Sequence, residues 1–205
     1  MNSQDLTADE TIRFLWSDEA RLIQPWQHPE EFLGLAKVIE QHRPSAVLEI
    51  GTANGGTLFA ATRLARSDAV IVSIDLPGGE FGGGYGGRKI ELYESFSRKD
   101  QRLHLLREDS HAKETLATVC ALFPSGIDHL FIDGDHTYSG SMKDFEMYGS
   151  LVNQGGTIAF HDIVTHVNPS FGVDEVWGEL KEKHTSEEYV LDWEQQGAGI
   201  GVLFV

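Results

Sequence analysis

From Ser45 to the end of the chain, short apolar runs alternate with stretches of helical character, and this rhythm constrains the fold more than any other feature. The runs are AVLEI, AVIVSID, RLHLL, HLFID and TIAF, followed in turn by helical segments over 55–66, 88–99, 110–122, 137–151 and 173–184. Strands that are apolar throughout, rather than at every second position, are buried on both faces. Strands that alternate with helices are joined by right-handed crossovers and build a parallel sheet. The last two runs, EYVLDW and GIGVLFV, have only a turn-rich stretch (Glu194–Ala198) between them, which predicts an antiparallel hairpin closing the sheet. The expected fold class is α/β, a Rossmann-like doubly wound sheet.

The segment before this rhythm reads differently. Residues 1–44 are expected to form an N-terminal helical arm, and 45–205 the single main domain. Phe14, Leu15 and Trp16 anchor the first part of the arm. A helix should start at Pro29, where Glu30 and Glu31 complement the helix dipole, and run to about His42, with Pro44 stopping it.

At 205 residues the chain can bury one sizeable core. Its formal charge of −16 repels phosphate backbones, so nucleic acid is not an expected partner. Cys120 lies in the apolar pattern TLATVCALF and reads as a buried helix residue; as the single cysteine it has no intrachain partner, which fits a reducing cytoplasm. The polar, acidic start MNSQDLTADE is unlike a signal peptide, and no apolar run reaches transmembrane length, so no membrane partner is expected.

The first candidate site is VLEIGTANGGT, a strand running into a glycine turn and then a helix. Gly51 permits the sharp turn, Gly55 and Gly56 admit a ligand close to the backbone, and the new helix offers free N–H groups. The spacing Gly51, Ala53, Gly56 is close to the dinucleotide fingerprint, so an NAD(P)-dependent oxidoreductase stays open as the alternative function. Asp75, ending the next strand 24 residues after Gly51, can accept both hydroxyls of an adenosine ribose. Asp109 can read an adenine amino group or serve as a dipole partner, with Ser110 as the N-cap of the helix over 110–122. Glu49 distinguishes the two cofactors. A carboxylate inside an apolar strand needs a donor or a cation; S-adenosylmethionine brings an ammonium and a sulfonium, whereas a dinucleotide brings pyrophosphate.

The second candidate site is the pair LFIDGDHTY and TIAFHDI, where two strands end on Asp133, Asp135 and His136 and on His161 and Asp162. Two carboxylates roughly 5 Å apart repel by about 3 kcal/mol at an effective dielectric near 20. Such a group raises its pKa values or binds a cation, and hard oxygen donors favour magnesium, calcium or manganese. A polar turn leading into the helix over 137–151 is the plain alternative for Asp133-Gly134-Asp135. Two long loops border this edge. Residues 77–87, PGGEFGGGYGG, hold seven glycines and read as a lid; 162–172 follow directly on Asp162. His166 and Trp177 belong to this second region, and the spacing of Trp177 with Val173, Val176 and Leu180 points to the core. His104 and His129 lie in strands and read as structural.

The motifs EIGTANGGT, SIDL, REDSH, IDGDHTY and GGTIAFHDI, in this order, resemble class I S-adenosylmethionine-dependent methyltransferases. More narrowly, they are similar to the metal-dependent small-molecule O-methyltransferase group that includes the macrocin and mycinose enzymes and the cephalosporin hydroxylase-like proteins. The resemblance covers about 45–205. It implies a seven-stranded sheet with an antiparallel last strand, and a cofactor held by Glu49, Gly51, Thr52, Asn54, Gly55, Asp75, Asp109 and Ser110. It also implies a divalent metal on Asp133, His161 and Asp162, magnesium by its oxygen ligands, with manganese, iron or zinc left open by the softer histidine. Many relatives carry glycine where Ala53 stands and Asp-Asp where His161-Asp162 stands. The implied reaction is methylation of a hydroxyl on a small molecule, a sugar or natural product. Asp135, by the resemblance, and His136, by its pKa, are the two candidates for the base. The N-terminal arm could serve a homo-oligomer.

Overall fold

The computed structural model describes residues 5–78 and 84–205. Seven strands form one sheet: β1 (Ala46–Ile50), β2 (Val70–Ile74), β3 (Arg102–Leu106), β4 (Ile127–Ile132), β5 (Val152–His161), β6 (Thr185–Tyr189) and β7 (Ile200–Phe204). Their spatial order is β3-β2-β1-β4-β5-β7-β6. Pairing is parallel from β3 through to β5, and β7 inserts antiparallel between β5 and β6. The chain turns outward in both directions from β1 and β4, so the switch point of the sheet lies between them. Ligands of open α/β sheets bind outside the carboxyl ends of the strands at that point.

Helices cover both faces. The α2 helix (Pro29–His42) has Pro29 at its first turn, acids at Glu30 and Glu31, and Arg43 in the left-handed conformation just before Pro44. Thr7 and Glu10 form a reciprocal capping box at the start of α1 (Ala8–Leu15). These two helices, with α3 (Gly56–Leu64) and α4 (Ile90–Glu94), bury Leu15, Phe32, Leu35, Phe59 and Tyr93 against one face of the sheet. The opposite face is covered by α5 (Lys113–Leu122), α6 (Tyr138–Tyr148) and α7 (Val173–Lys181), around Tyr148, Phe160 and Trp177. Successive strand residues alternate between the two cores: Val47 meets the first, Leu48 and Ile50 the second. No helix among the described residues is long and apolar enough to cross a membrane.

Several expectations shift. The helix over 88–99 is a 3₁₀ turn at Gly87–Lys89 followed by the five-residue α4. Ser110 does not cap α5. The Asp109 side chain instead accepts the backbone N–H of His111 at 2.8 Å, which delays the helix until Lys113, with Ala112 at the N-cap. Cys120 is exposed; Thr115 and Val119 set the buried face of α5, and the next residue along a helix points about 100° away. The edge strand is Thr185–Tyr189 rather than EYVLDW, because Asp192 diverts the chain into a turn by accepting the N–H groups of Glu194 and Gln195. Part of the expected lid, residues 79–83, lies outside the described residues. Trp177, His129 and His104 do occupy the helix and strand positions read for them; Trp177 is fully buried, and His129 Nδ1 lies 2.7 Å from Thr157 Oγ1, its in-register neighbour.

Gly201 lets Trp177 seat across the antiparallel strand: a Cβ there would come within 2.6 Å of three indole carbons. The indole Nε1 donates to Glu188 of β6 at 2.6 Å, so one side chain ties α7 to both C-terminal strands. Gly201→Ala is expected to destabilise the protein by about 1–3 kcal/mol through overpacking, measured by urea denaturation. An unchanged midpoint would mean that the indole can move aside freely.

Candidate active site

A cavity of about 370 Å³ opens at the carboxyl edge of β1, β2 and β4. Its wall comprises Trp26, Ile50, Gly51, Ala53, Ile74, Asp75, Leu76, Glu108, Asp109, Ser110, His111, Asp133, Gly134, Asp135 and His136. Five of these residues are acidic, and among the described residues no lysine or arginine lines it.

The glycine turn forms its floor. Gly51 has φ +94, and a Cβ at that position would collide with the Asp133 carbonyl oxygen at 2.0 Å, so β1 and β4 can approach only through glycine. The Asp75 Oδ2 accepts the backbone N–H groups of Thr52 and Ala53 at 2.9 and 2.8 Å, and Oδ1 accepts that of Leu76 at 2.8 Å. Burial raises the Asp75 pKa, and these backbone donors only partly offset it. Ala53 sits at φ +45, where many relatives of the resembling group have glycine; its carbonyl is held by the Tyr93 hydroxyl at 2.7 Å.

Among the expected cofactor residues, Gly51, Asp75, Asp109 and Ser110 face this cavity, whereas Glu49, Thr52, Asn54 and Gly55 are not in its wall. Asn54 turns away, donating to the Gln24 carbonyl and accepting from Lys89. Glu49 is 2% exposed and points toward α3. Ser73, its in-register neighbour on β2, donates to Glu49 Oε2 at 2.9 Å, and Thr57 supplies a second hydroxyl. Thr52 in turn bonds Ser73. The donor that Glu49 requires is therefore built into the protein. Burial pushes its carboxyl up to about 8, against the lowering effect of the two hydroxyls.

At the end of β4 and β5 the ionisable side chains converge. Donor atoms of Asp133, His136 and Asp162 all lie within 4.8 Å of one another. His136 Nε2 stands 3.3 Å from Asp133 Oδ1 and 3.7 Å from Asp162 Oδ2. His161 Nδ1 lies 3.2 Å from Asp133 Oδ1 and 3.5 Å from Asp162 Oδ1, while its Nε2 is buried without a hydrogen-bond partner among the described residues. Burial opposes charge on all four groups, but opposite neighbours prevail: both carboxyls are held below their usual range, His136 is raised, and His161 is raised well above its ordinary value. Asp135 stands apart. Its Oδ1 accepts the Thr137 N–H at 2.9 Å, and its carboxyl packs against Gly140 in the first turn of α6, where a Cβ would meet it at 2.1 Å.

Residues 48–163, more than half of the chain, match the model of a family described as a methyltransferase domain. The chain belongs to this family. Its fold is also that of solved O-methyltransferases. The O-methyltransferase TomG from Streptomyces achromogenes, solved in complex with SAM, superposes with a TM-score of 0.64 at 17% identity, over 96% of this chain and 90% of that one. The O-methyltransferase from Bacillus cereus, in complex with SAH, gives 0.62 at 16% identity over 97% and 90%. An uncharacterized protein, R132, from Acanthamoeba polyphaga mimivirus is 47% identical over 49 residues, which are 24% of this chain. The match spans about a fifth of that relative's length, 22%.

Sequence reasoning missed several wall and support residues of this methyltransferase. Gln27 donates from Nε2 to Asp133 Oδ2 at 2.7 Å, and Trp26 beside it stands at the cavity mouth. Both come from the arm, where nothing local marks them. His111 lines the cavity and lies 3.3 Å from Asp144, a carboxylate with no exposed surface. The REDSH motif contained His111; the buried Asp144 behind it became visible only through the packing of α6.

Glu49 has a measurable consequence. Its folded pKa of about 8 lies above the unfolded value of 4.5, so between those pH values the folded state binds the extra proton. Stability from this group is therefore fullest at low pH and falls as pH rises across that window. Glu49→Gln should remove this slope, and its melting temperature should gain on wild type between pH 5.5 and 7.5. A constant difference between the two proteins would mean that Glu49 is ionised throughout.

Proposed function

We propose that this protein is an S-adenosylmethionine-dependent, divalent-metal-assisted O-methyltransferase acting on a hydroxyl of a small molecule. The observation that carries the cofactor reading is the charge of the cavity. Five carboxylates without a facing lysine or arginine suit a ligand bearing an ammonium and a sulfonium. They would repel the pyrophosphate of NAD(P). SAM and SAH in the two solved relatives support the same reading.

The donor set fits a divalent ion. Asp133, His136 and Asp162 would hold it, with His161 packed behind both carboxylates. The two carboxylates suit a hard ion such as magnesium or manganese, and the imidazole softens the set toward manganese, iron or zinc. When bound, such an ion lowers the pKa of an acceptor hydroxyl and fixes its oxygen. When bound, the cofactor would supply a methyl group on a sulfonium, for an in-line displacement in which the C–O bond forms as the S–CH3 bond breaks and S-adenosylhomocysteine leaves as a neutral thioether.

The chain's own residues then have distinct tasks. Asp75 fixes the backbone of the glycine turn at the ribose position, and Asp109 and Ser110 wall the adenine end. Asp133 and Asp162 hold the acceptor edge. With His136 drawn into the cluster, Asp135 is the one of the two candidate bases that would take the acceptor proton, its Oδ1 anchored by the Thr137 N–H. Holding the nucleophile in line accounts for much of the acceleration in such a displacement.

The two halves separate experimentally. Asp75→Ala should lower S-adenosylhomocysteine affinity by about one to two orders of magnitude, since each charge-assisted hydrogen bond is worth roughly 1.5–3 kcal/mol. Asp162→Asn, at a position outside the cavity wall, should leave that affinity nearly intact; it and Asp133→Asn should each lose most turnover and resemble wild type treated with chelator. NAD binding as tight as S-adenosylhomocysteine in calorimetry would refute the cofactor reading. Full transfer in excess chelator would refute the metal.

A further inference from the structure

We propose that Gln27 and Glu31, at the start of α2, are positioning residues that set the spacing of the two metal-cluster carboxylates. The inference rests on the metal reading above. Neither residue lies within the family match, which begins at residue 48.

Gln27 is 6% exposed, and its amide carries two N–H donors and a carbonyl acceptor. Nε2 donates to Asp133 Oδ2 at 2.7 Å. That hydrogen bond occupies one carboxylate oxygen and leaves Oδ1 toward His136 and His161. The acceptor, Oε1, is buried and has no partner among the described residues. A buried carbonyl without a donor is costly. Beside a cation site, water carried by the ion is a donor of the right kind.

Glu31 acts at a greater distance. It is 2% exposed and accepts three hydrogen bonds from the β6–β7 connection: Leu191 N–H at 2.9 Å, Gln195 Nε2 at 2.5 Å and Gly199 N–H at 2.9 Å. The residue before Gly199 completes the link, since Ala198 N–H donates to Asp162 Oδ1 at 2.8 Å. Asp162 Oδ2 is the oxygen on the His136 side. Asp162 itself holds φ +62, a conformation that a non-glycine residue keeps only where its surroundings determine it.

The two carboxylates are thus restrained in the same manner. Each has one oxygen fixed by a scaffold N–H donor and the other facing His136. Both restraints lead to the same end of α2, directly through Gln27 and through the C-terminal connection by Glu31. Metal affinity should therefore depend on the N-terminal arm although the proposed ligands come from β4 and β5.

The test uses the full chain, with Mn²⁺ binding followed by the loss of the free-ion paramagnetic resonance signal and S-adenosylhomocysteine binding followed by calorimetry. Gln27→Met keeps the volume and removes the donor. It should weaken Mn²⁺ by about tenfold to a hundredfold, the usual cost of losing a partner behind a metal ligand, while cofactor affinity stays within about twofold. Glu31→Gln should also weaken Mn²⁺ with cofactor affinity retained. It decides the question by the same comparison if Gln27→Met lacks a cooperative thermal transition. Mn²⁺ affinity within about twofold of wild type in a folded variant overturns the inference and leaves the metal reading standing. A wild-type protein that binds S-adenosylhomocysteine but not Mn²⁺ overturns the metal reading itself, and this inference with it.

Discussion

Two carboxylates that must coexist in a nearly dry corner are the constraint around which this molecule is arranged. Asp133 and Asp162 end neighbouring strands, β4 and β5, and the parallel pairing of those strands leaves them no choice but proximity. Water cannot solvate both, so positive charge has to stand between or beside them. His136 and His161 stand there, with contacts of 3.2 to 3.7 Å, and the carboxylates raise the pKa of both imidazoles. The same corner explains why Gly51 lacks a side chain, because β1 has to pass against the Asp133 carbonyl. It also explains the left-handed turn at Asp162, which aims one oxygen at the C-terminal connection and the other at the cluster.

Burial separates the acids into two populations. Glu49 and Asp75 belong to the neighbouring β1 and β2 segments near the glycine turn, yet they meet different needs. Glu49 lies inside β1, faces the helical layer, and is satisfied by hydroxyls in register with it, so its proton is retained to an unusually high pH. Asp75 lies just past β2 and spends its oxygens on backbone N–H groups. The first is a core residue that shapes the turn from behind; the second touches the cavity.

The sheet was legible because its signal is repetitive: five apolar runs, each followed by a helix, leave little room for another architecture. The strand-end acids were legible for a related reason, since a carboxylate at the end of a buried strand is conspicuous in one dimension. Three kinds of feature were not. The direction of Glu49 depends on which face of β1 it occupies, and an apolar strand buried on both sides hides that parity. The exposure of Cys120 depends on which stripe of α5 meets the sheet, and TLATVCALF is apolar nearly all round. Gln27 and Glu31 act across 106 and 160 to 168 residues of chain, and contacts of that span leave no local pattern.

The outermost strand carries a last implication. β6 presents Thr185, Ser186, Glu187 and Glu188 along an edge whose backbone groups on one side have no strand beside them among the described residues. An open edge is a template for another chain's backbone, and natural sheets protect it with charge. Here the guards are acidic, on a chain whose surface is already strongly negative. A second copy adding itself strand to strand would bring like charges face to face. Acid or high salt, by silencing those glutamates, are the conditions under which this margin would lose its protection against fibre-like stacking.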